Sequence, residues 1–304
     1  MKILVKMNKW ERELDQVYQE ELKKAGTNIS EVYADMLKRF KKEGREVLAD
    51  DSNLTRTEKY NAQRKAALEK RIREIIEDLH PEVRKAIKEL SEKSGVLGYY
   101  GNQYSMEQAV ESFINMKPID LRYLNTTINE KIDGKRFSER LYKDREKMAR
   151  IVNREIVKSA EDGIGYKELA ARLEAITQND MEHSWTIART ESKRVRSTMH
   201  QDAYEEAQKA GVIAEKEWLH SGNTGNPRSK HQEMHGMRVP INGSFISPDG
   251  NTAEGPGLFG VASEDIRCGC WTVTHVLGIQ QTGQEFEPKT NWQEWAKEND
   301  VGVD

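Results

Sequence analysis

The stretch from residue 218 to residue 271 contains too many turn-forming residues to build a long helix. Asn242-Gly243 and Pro248-Asp249-Gly250-Asn251 favour tight turns, and few apolar residues lie between them. This pattern predicts short strands joined by hairpins. Because so small a core holds a fold together weakly, we expect support from a packed helix or a bound metal ion.

The two cysteines of the chain both lie in this stretch, together with a pair of histidines. His231, His235, Cys268 and Cys270 offer two imidazoles and two thiols, which is a donor set that zinc binds in tetrahedral sites. They predict one structural zinc ion and no other cofactor. Two alternatives remain open: the cysteines are reduced thiols that bind nothing, and the histidines are a polar pair on a surface turn.

Upstream of this stretch, apolar residues recur at the three- and four-residue steps of amphipathic helices. We predict helices over residues 8–25, 30–44, 55–79 and 106–116. Gly26 should end the first, Gly44 should stop or bend the second, and a Thr55-x-x-Glu58 capping box should begin the third. Charged residues make up 33% of the chain and its mean hydropathy is −0.84, so these helices should be long and well hydrated.

The fold class predicted from these patterns is mainly α, with a small α+β domain near the C-terminus whose short-stranded, turn-rich sheet packs on a helix. Four regions are expected: a helical N-terminal region (1–130), a basic helical linker (131–178), the α+β domain (179–278) and a polar tail with one short helix (279–304). Asn291 is expected to cap that last helix, with Trp292 and Trp295 on one side as a partner-binding peptide or a clasp onto the body.

Between residues 131 and 158 there are ten basic and five acidic residues, although the whole chain carries a net charge of −3. Seven of the basic residues advance by three or four positions and therefore share one helical face. They are Arg136, Arg140, Lys143, Lys147, Arg150, Arg154 and Lys158. Such a face suits non-specific contact with double-stranded DNA, but a solvated helix face balanced by its acids explains it equally well.

A second distinctive segment, residues 94–104, is small, aromatic and almost uncharged. Its tyrosines predict either a loop packed against the protein's own helices or a docking surface for a partner. Of these two roles, the loop packed against the protein's own helices is the favoured interpretation.

Several motifs occur in a fixed order: Ala188-Arg189-Thr190-Glu191, then Trp218, then Arg228-x-x-His231, and finally Cys268-x-Cys270. Gly236, Phe245 and the upstream segment 133–142 belong to the same series. Over residues 120–275 this series resembles the Mu F-like minor head proteins, which are phage head morphogenesis proteins. Within the resemblance we expect Arg189, Glu191, Trp218, Arg228, Gly236 and Phe245 to have structural roles, with Arg189 and Glu191 anchoring loops of the small sheet to a helix. Where the family pattern has Asp or Asn just before Gly236, this chain has His235.

The resemblance implies a minor capsid protein of a tailed phage or prophage-like element. It implies binding to the portal protein during procapsid assembly, contact with scaffold and major capsid protein, and a part in DNA packaging, retention or ejection. The expected location is the host cytoplasm during assembly and then the virion head. The portal contact is expected on the N-terminal helices or on the tyrosine-rich segment.

Motifs of common enzyme classes are not found: the chain lacks His-Glu-x-x-His, Gly-x-Ser-x-Gly and a phosphate-binding loop. We therefore predict no catalytic residues and no enzymatic activity. The alternatives are a metal- or thiol-dependent hydrolase or transferase carried by a mobile element, with Glu233 as a base, and a stand-alone DNA-binding protein. No run of apolar residues is long enough to span a membrane, so no membrane partner is expected.

Overall fold

The computed structural model describes residues 8–50, 62–131, 134–220, 227–280 and 286–302, and within these ranges it has eight helices and five strands. The helices are α1 (Lys9–Asp50), α2 (Ala62–Val110), α3 (Leu121–Ile128), α4 (Phe137–Glu161), α5 (Tyr166–Lys209), α6 (Ser229–Glu233), α7 (Ala262–Asp265) and α8 (Trp292–Glu298). The strands are β1 (Val212–Leu219), β2 (Arg238–Pro240), β3 (Phe245–Ile246), β4 (Thr252–Ala253) and β5 (Trp271–Ile279). The predicted fold class, mainly α with a small C-terminal α+β part, is confirmed.

The long helices have fewer interruptions than their glycines suggested. Helix α1 continues through Gly26 and Gly44, so the prediction that Gly26 ends a helix is wrong and Gly44 does not stop one. Glycine serves close packing at both positions: a Cβ at Gly26 would lie 3.4 Å from the Trp185 ring, and one at Gly44 would lie 2.9 Å from Leu169. The predicted capping box at Thr55 and Glu58 lies outside the described residues.

The tyrosine-rich segment 94–104 forms part of helix α2 instead of a loop, and α2 also continues through Pro81. Tyr99 and Tyr104 are almost fully buried. The small residues were misread as loop formers because their actual role is to let α2 approach other helices closely.

The chain divides into two compact units that interleave along the sequence. The terminal unit comprises the described residues of 1–23, 88–134 and 188–304, and the helical unit comprises those of 24–87 and 135–187. Each unit combines segments that are separated in the sequence, whereas the predicted regions are continuous. The two units therefore do not test the boundaries predicted at residues 130, 178 and 278.

The main sheet lies in the terminal unit and has the antiparallel order β2-β1-β5. Strands β1 and β5 pair from Val212 opposite Ile279 to Leu219 opposite Trp271, with an irregularity after Ile213. Strands β3 and β4 form a separate two-stranded hairpin. These short strands match the turn-rich pattern of residues 218–271.

Two apolar clusters support the terminal unit. One joins α2 and α5 to the sheet through Met106, Tyr204 and Val212. The other is small and consists of Trp218, Met234, Phe245, Cys268 and Cys270. Among the described helices, none combines the length and the apolar character that crossing a bilayer requires.

Candidate functional site

Three short elements of the terminal unit bring polar side chains to the small apolar cluster. Helix α6 carries His231, helix α7 carries Glu264, and the two cysteines lie between α7 and the start of β5. His231, Glu264, Cys268 and Cys270 are all buried, with Glu264 at 0% exposure.

The donor atoms of His231, Cys268 and Cys270 all lie within 4.8 Å of one another. His231 Nδ1 is 3.7 Å from the sulfur of Cys268 and 3.7 Å from that of Cys270. On its other side, His231 Nε2 is 2.8 Å from a carboxylate oxygen of Glu264. The structure therefore groups three of the four residues that were predicted to bind zinc.

The fourth predicted ligand, His235, is exposed and is not part of this group. Its Nδ1 accepts a hydrogen bond of 3.1 Å from the backbone N–H of His220. The ring thus fixes the end of β1.

The hydrogen bonds around Cys268 favour its thiolate form over the thiol. A hydrogen bond from Cys270 lowers the pKa of Cys268 well below its usual value, with His231 and Lys193 acting in the same direction against burial. Burial lowers the pKa of Lys193 to about 8, and Arg196 adds to this shift while the cysteines oppose it. Although burial lowers the pKa of His231, hydrogen bonds that its ring donates to Cys268 and Glu264 raise it above its usual value.

An ion pair and hydrogen bonds keep the carboxylate of Glu264 in place against His231. Lys230 Nζ lies 2.6 Å from one carboxylate oxygen and the amide of Asn251 donates to the same oxygen. Although burial raises the pKa of Glu264, hydrogen bonds from Lys230 and His231 leave it below its usual value.

Four motif residues make structural contacts around the site: Trp218, Arg228, Gly236 and Phe245. Trp218 packs edge-on against His231 and Phe245. Arg228 donates to the carbonyl oxygens of Ser263 and Ile266 at 2.6 and 2.7 Å, which fixes both ends of α7. Gly236 adopts a φ of 84° and donates its N–H to the Trp218 carbonyl, so it turns the chain back onto β1.

The triplet Arg189-Thr190-Glu191 lies on α5. Arg189 is exposed, while Glu191 is buried and pairs with Arg194 at 3.2 Å. Thr190 Oγ1 accepts the backbone N–H of Arg267, just before the first cysteine. This bond connects the triplet to the site, and the anchoring roles of Arg189 and Glu191 themselves stay predictions.

The predicted DNA-binding stripe lies on α4 and at its N-terminal cap, in the helical unit. Arg140 is half-buried, and the other six residues are exposed: Arg136, Lys143, Lys147, Arg150, Arg154 and Lys158. The stripe therefore presents most of its charge to solvent.

Sequence reasoning missed Glu264, Lys230 and Lys193. Glu264 stands four residues before Cys268 and Lys230 stands next to His231, so proximity to a candidate ligand was the available signal. Lys193 gave no such signal, because only the packing of α5 brings it near the cysteines.

Comparison with known proteins gives one relative along most of the chain. The chain is 31% identical over 295 residues to NAD(+)–arginine ADP-ribosyltransferase EFV of Enterococcus faecalis. The alignment covers 95% of this chain and 60% of the relative, so the rest of the relative lies outside it. No solved structure matches the chain.

This relative corrects the prediction that the chain has no enzymatic activity. That prediction rested on missing motifs of hydrolases and phosphate-binding enzymes, whereas the relative is named as a transferase. The absence of those motifs was therefore too narrow a basis for excluding catalysis.

The family model described as Phage Mu protein F like protein matches residues 150–273. The match includes the stretch from Ala188 to Cys270 whose ordered motifs indicated this family. Residues 150–273 therefore match the Mu F-like family, as their ordered motifs predicted.

Proposed function

We propose that this chain is a minor head protein of a tailed phage or prophage-like element, where it binds the portal protein during assembly and handles the packaged DNA. The observation that carries the proposal is the Mu F-like match over residues 150–273. The proposal places the protein in the virion head once assembly is complete.

For the portal contact, the burial of Tyr99 and Tyr104 favours the N-terminal helices over the tyrosine-rich segment. Gln16 and Glu20 lie on the exposed face of α1. Gln208 and Glu205 on α5 are of the same residue types and are also exposed, so they provide a control pair.

The test is co-purification with the portal protein from the same genome. We expect the wild-type chain to co-migrate with the portal on size exclusion, a Gln16→Arg/Glu20→Arg variant to lose this association, and the matched Gln208→Arg/Glu205→Arg variant to keep it. A wild-type chain that always separates from an assembled portal contradicts the portal proposal, and loss by both variants contradicts the choice of α1.

The DNA contact is proposed on the exposed stripe of α4. Acidic residues of this helix already pair elsewhere in the helical unit: Glu146 with Arg73 at 2.6 Å and Glu155 with Arg172 at 2.6 Å. The stripe is thus less compensated than the sequence alone suggested. From Arg136 to Lys158 it spans roughly 33 Å at the rise of an α-helix, which is about one turn of B-form DNA.

Charge reversal tests this contact. Lys147→Glu/Arg150→Glu/Arg154→Glu should weaken binding to random-sequence duplex DNA by more than tenfold at low salt and flatten its salt dependence. Lys38→Glu/Arg84→Glu/Lys85→Glu makes the same change in net charge at other exposed positions of the helical unit. Equal binding by the two variants would mean that the stripe is only a hydrated helix face.

A second candidate function is transfer of ADP-ribose from NAD+ to arginine, proposed because the relative with this name aligns with 95% of the chain. The measurement is release of nicotinamide from NAD+ by the purified chain, with and without an arginine-containing acceptor. Acceptor-dependent release supports the transfer. No release under conditions in which the Enterococcus faecalis relative is active rejects it for this chain.

A further inference from the structure

The distances from His231 Nδ1 to the sulfurs of Cys268 and Cys270 match two edges of a metal-centred tetrahedron. Zinc bonds of ~2.3 Å to sulfur and ~2.0–2.1 Å to nitrogen, at the tetrahedral angle, place sulfur and nitrogen about 3.6 Å apart. Both sulfur distances from His231 Nδ1 are 3.7 Å. His231 Nδ1 is therefore placed to share one ion with both sulfurs.

A direct hydrogen bond accounts for only part of this arrangement. An imidazole nitrogen carries either one hydrogen or one lone pair, so Nδ1 cannot bond well to two sulfurs at equal distances. Glu264 lies against Nε2 at 2.8 Å and orients the ring so that Nδ1 faces the sulfurs. A carboxylate behind a histidine is the usual partner of a metal-bound imidazole.

The surroundings suit a divalent cation. Two thiolates neutralise its charge, and the Lys230 ammonium neutralises Glu264. Phe259 stacks on the His231 ring and Trp218 covers it edge-on, so apolar groups enclose the donors. Low local polarity strengthens the attraction between the ion and its ligands.

We propose that His231 Nδ1, Cys268 Sγ and Cys270 Sγ bind one zinc ion, with Glu264 as the positioning residue behind His231. This set differs from the four-residue expectation because His235 takes no part in it. Three protein donors leave the fourth corner of the tetrahedron to a solvent molecule. The proposal is independent of portal or DNA binding, since it concerns only the residues of this cluster.

Metal content of the purified full chain is the first test. Wild-type protein and His235→Ala, the matched control, should each hold one zinc per chain. His231→Ala, Cys268→Ser and Cys270→Ser should hold much less. Zinc-free wild-type protein that takes up none on dialysis against zinc overturns the site, and loss of zinc from His235→Ala overturns the three-residue ligand set.

Since ligand variants can also lose metal by unfolding, cobalt substitution of the wild-type chain provides a second readout. Co²⁺ in the proposed site should give the thiolate charge-transfer band and the intense visible bands of a four-coordinate ion. A weak, octahedral-type spectrum without the thiolate band contradicts the assignment.

Glu264→Gln tests the positioning role separately. The variant should still bind zinc at saturation, but with affinity reduced about 10- to 100-fold in competition with a chelator. Glu233→Gln, which changes an exposed carboxylate on the same helix as His231, should bind zinc like the wild type. Unchanged affinity in Glu264→Gln, even with lower thermal stability, would show that Glu264 only supports the fold.

Discussion

At Gly98 the backbone of α2 approaches the backbone of α5 so closely that an added Cβ would lie 2.3 Å from the carbonyl oxygen of Arg196. Three residues earlier, a Cβ at Gly95 would lie 2.4 Å from a methyl group of Leu124. A methyl group on a side chain can move, whereas a helix backbone cannot. Gly98 is therefore the more restrictive of the two positions.

Gly98→Ala should destabilise the protein by about 1–3 kcal/mol, because the two helices must separate to accept one methyl group. Urea denaturation measures the change. Gly278→Ala is the control, since nothing lies within 4 Å of the added carbon there. Similar unfolding midpoints for the two variants would contradict the close approach of the helices.

Individual residues of the candidate site differ in how far the sequence predicts them. His231, Cys268 and Cys270 stand out because the chain has seven histidines and two cysteines. Glu264 does not, because it is one of 51 acidic residues and only the folding of α7 places it behind His231. His235 already differed from His231 in departing from the family pattern, and it is exposed just before the turn at Gly236.

At the scale of secondary-structure elements, the spacing of apolar residues predicted that helices are present better than it predicted how long they are. The steps of three and four residues in α1 and α2 were visible in the sequence. Their continuity was not, because whether a glycine ends a helix or fits against a neighbour depends on what packs there. Gly26 beside Trp185 is the clearest case.

Helix α8 shows an element whose cap was predictable and whose role was not. Asn291 accepts from the N–H of Glu294, as its cap position predicted. Trp292 and Trp295 are both buried, and Trp295 Nε1 donates to Glu107 at 2.7 Å. Of the two roles left open by the sequence, the structure shows a clasp onto the terminal unit.

Trp295→Phe should therefore cost about 1–3 kcal/mol beyond the loss of ring area, because the buried carboxylate of Glu107 loses a donor. Trp292→Phe removes the same atoms, but its indole makes no bond to Glu107, so it corrects for packing. Chemical denaturation of both variants gives the difference. If Trp295→Phe is no less stable than Trp292→Phe, the hydrogen bond contributes nothing measurable.

At the scale of the whole molecule, the start of α1 is hydrogen-bonded to β5 and α8 within the terminal unit. Glu11 accepts the backbone N–H of Thr274, and Glu13 accepts that of Trp292. Burial raises the pKa of Glu11 from 4.5 to about 7, with the charge of Glu217 adding to the shift and hydrogen bonds from Thr274 and Asn8 opposing it.

This shift predicts a pH dependence of stability. Between pH 4.5 and about 7 the folded state holds the Glu11 proton more tightly than the unfolded state, so stability falls as the pH rises. Relative to the wild type, Glu11→Gln should gain stability from pH 5 to pH 8, by up to about 3 kcal/mol. Denaturation at several pH values measures it, and a difference that does not change with pH would refute the shift.

The matched control for this pH series is Glu20→Gln. Glu20 lies on the exposed face of the same helix, so its substitution removes an equal charge without changing a buried group. Its stability difference from the wild type should stay nearly constant across the series.

The contacts of Glu11 and Glu13 also have a consequence for synthesis on the ribosome. Their partners lie 263 and 279 residues further along the chain. At translation rates of about 5–20 residues per second, the first helix waits on the order of ten to fifty seconds before those partners exist. A prematurely terminated chain lacks them permanently, so an incomplete translation product cannot finish folding its own beginning.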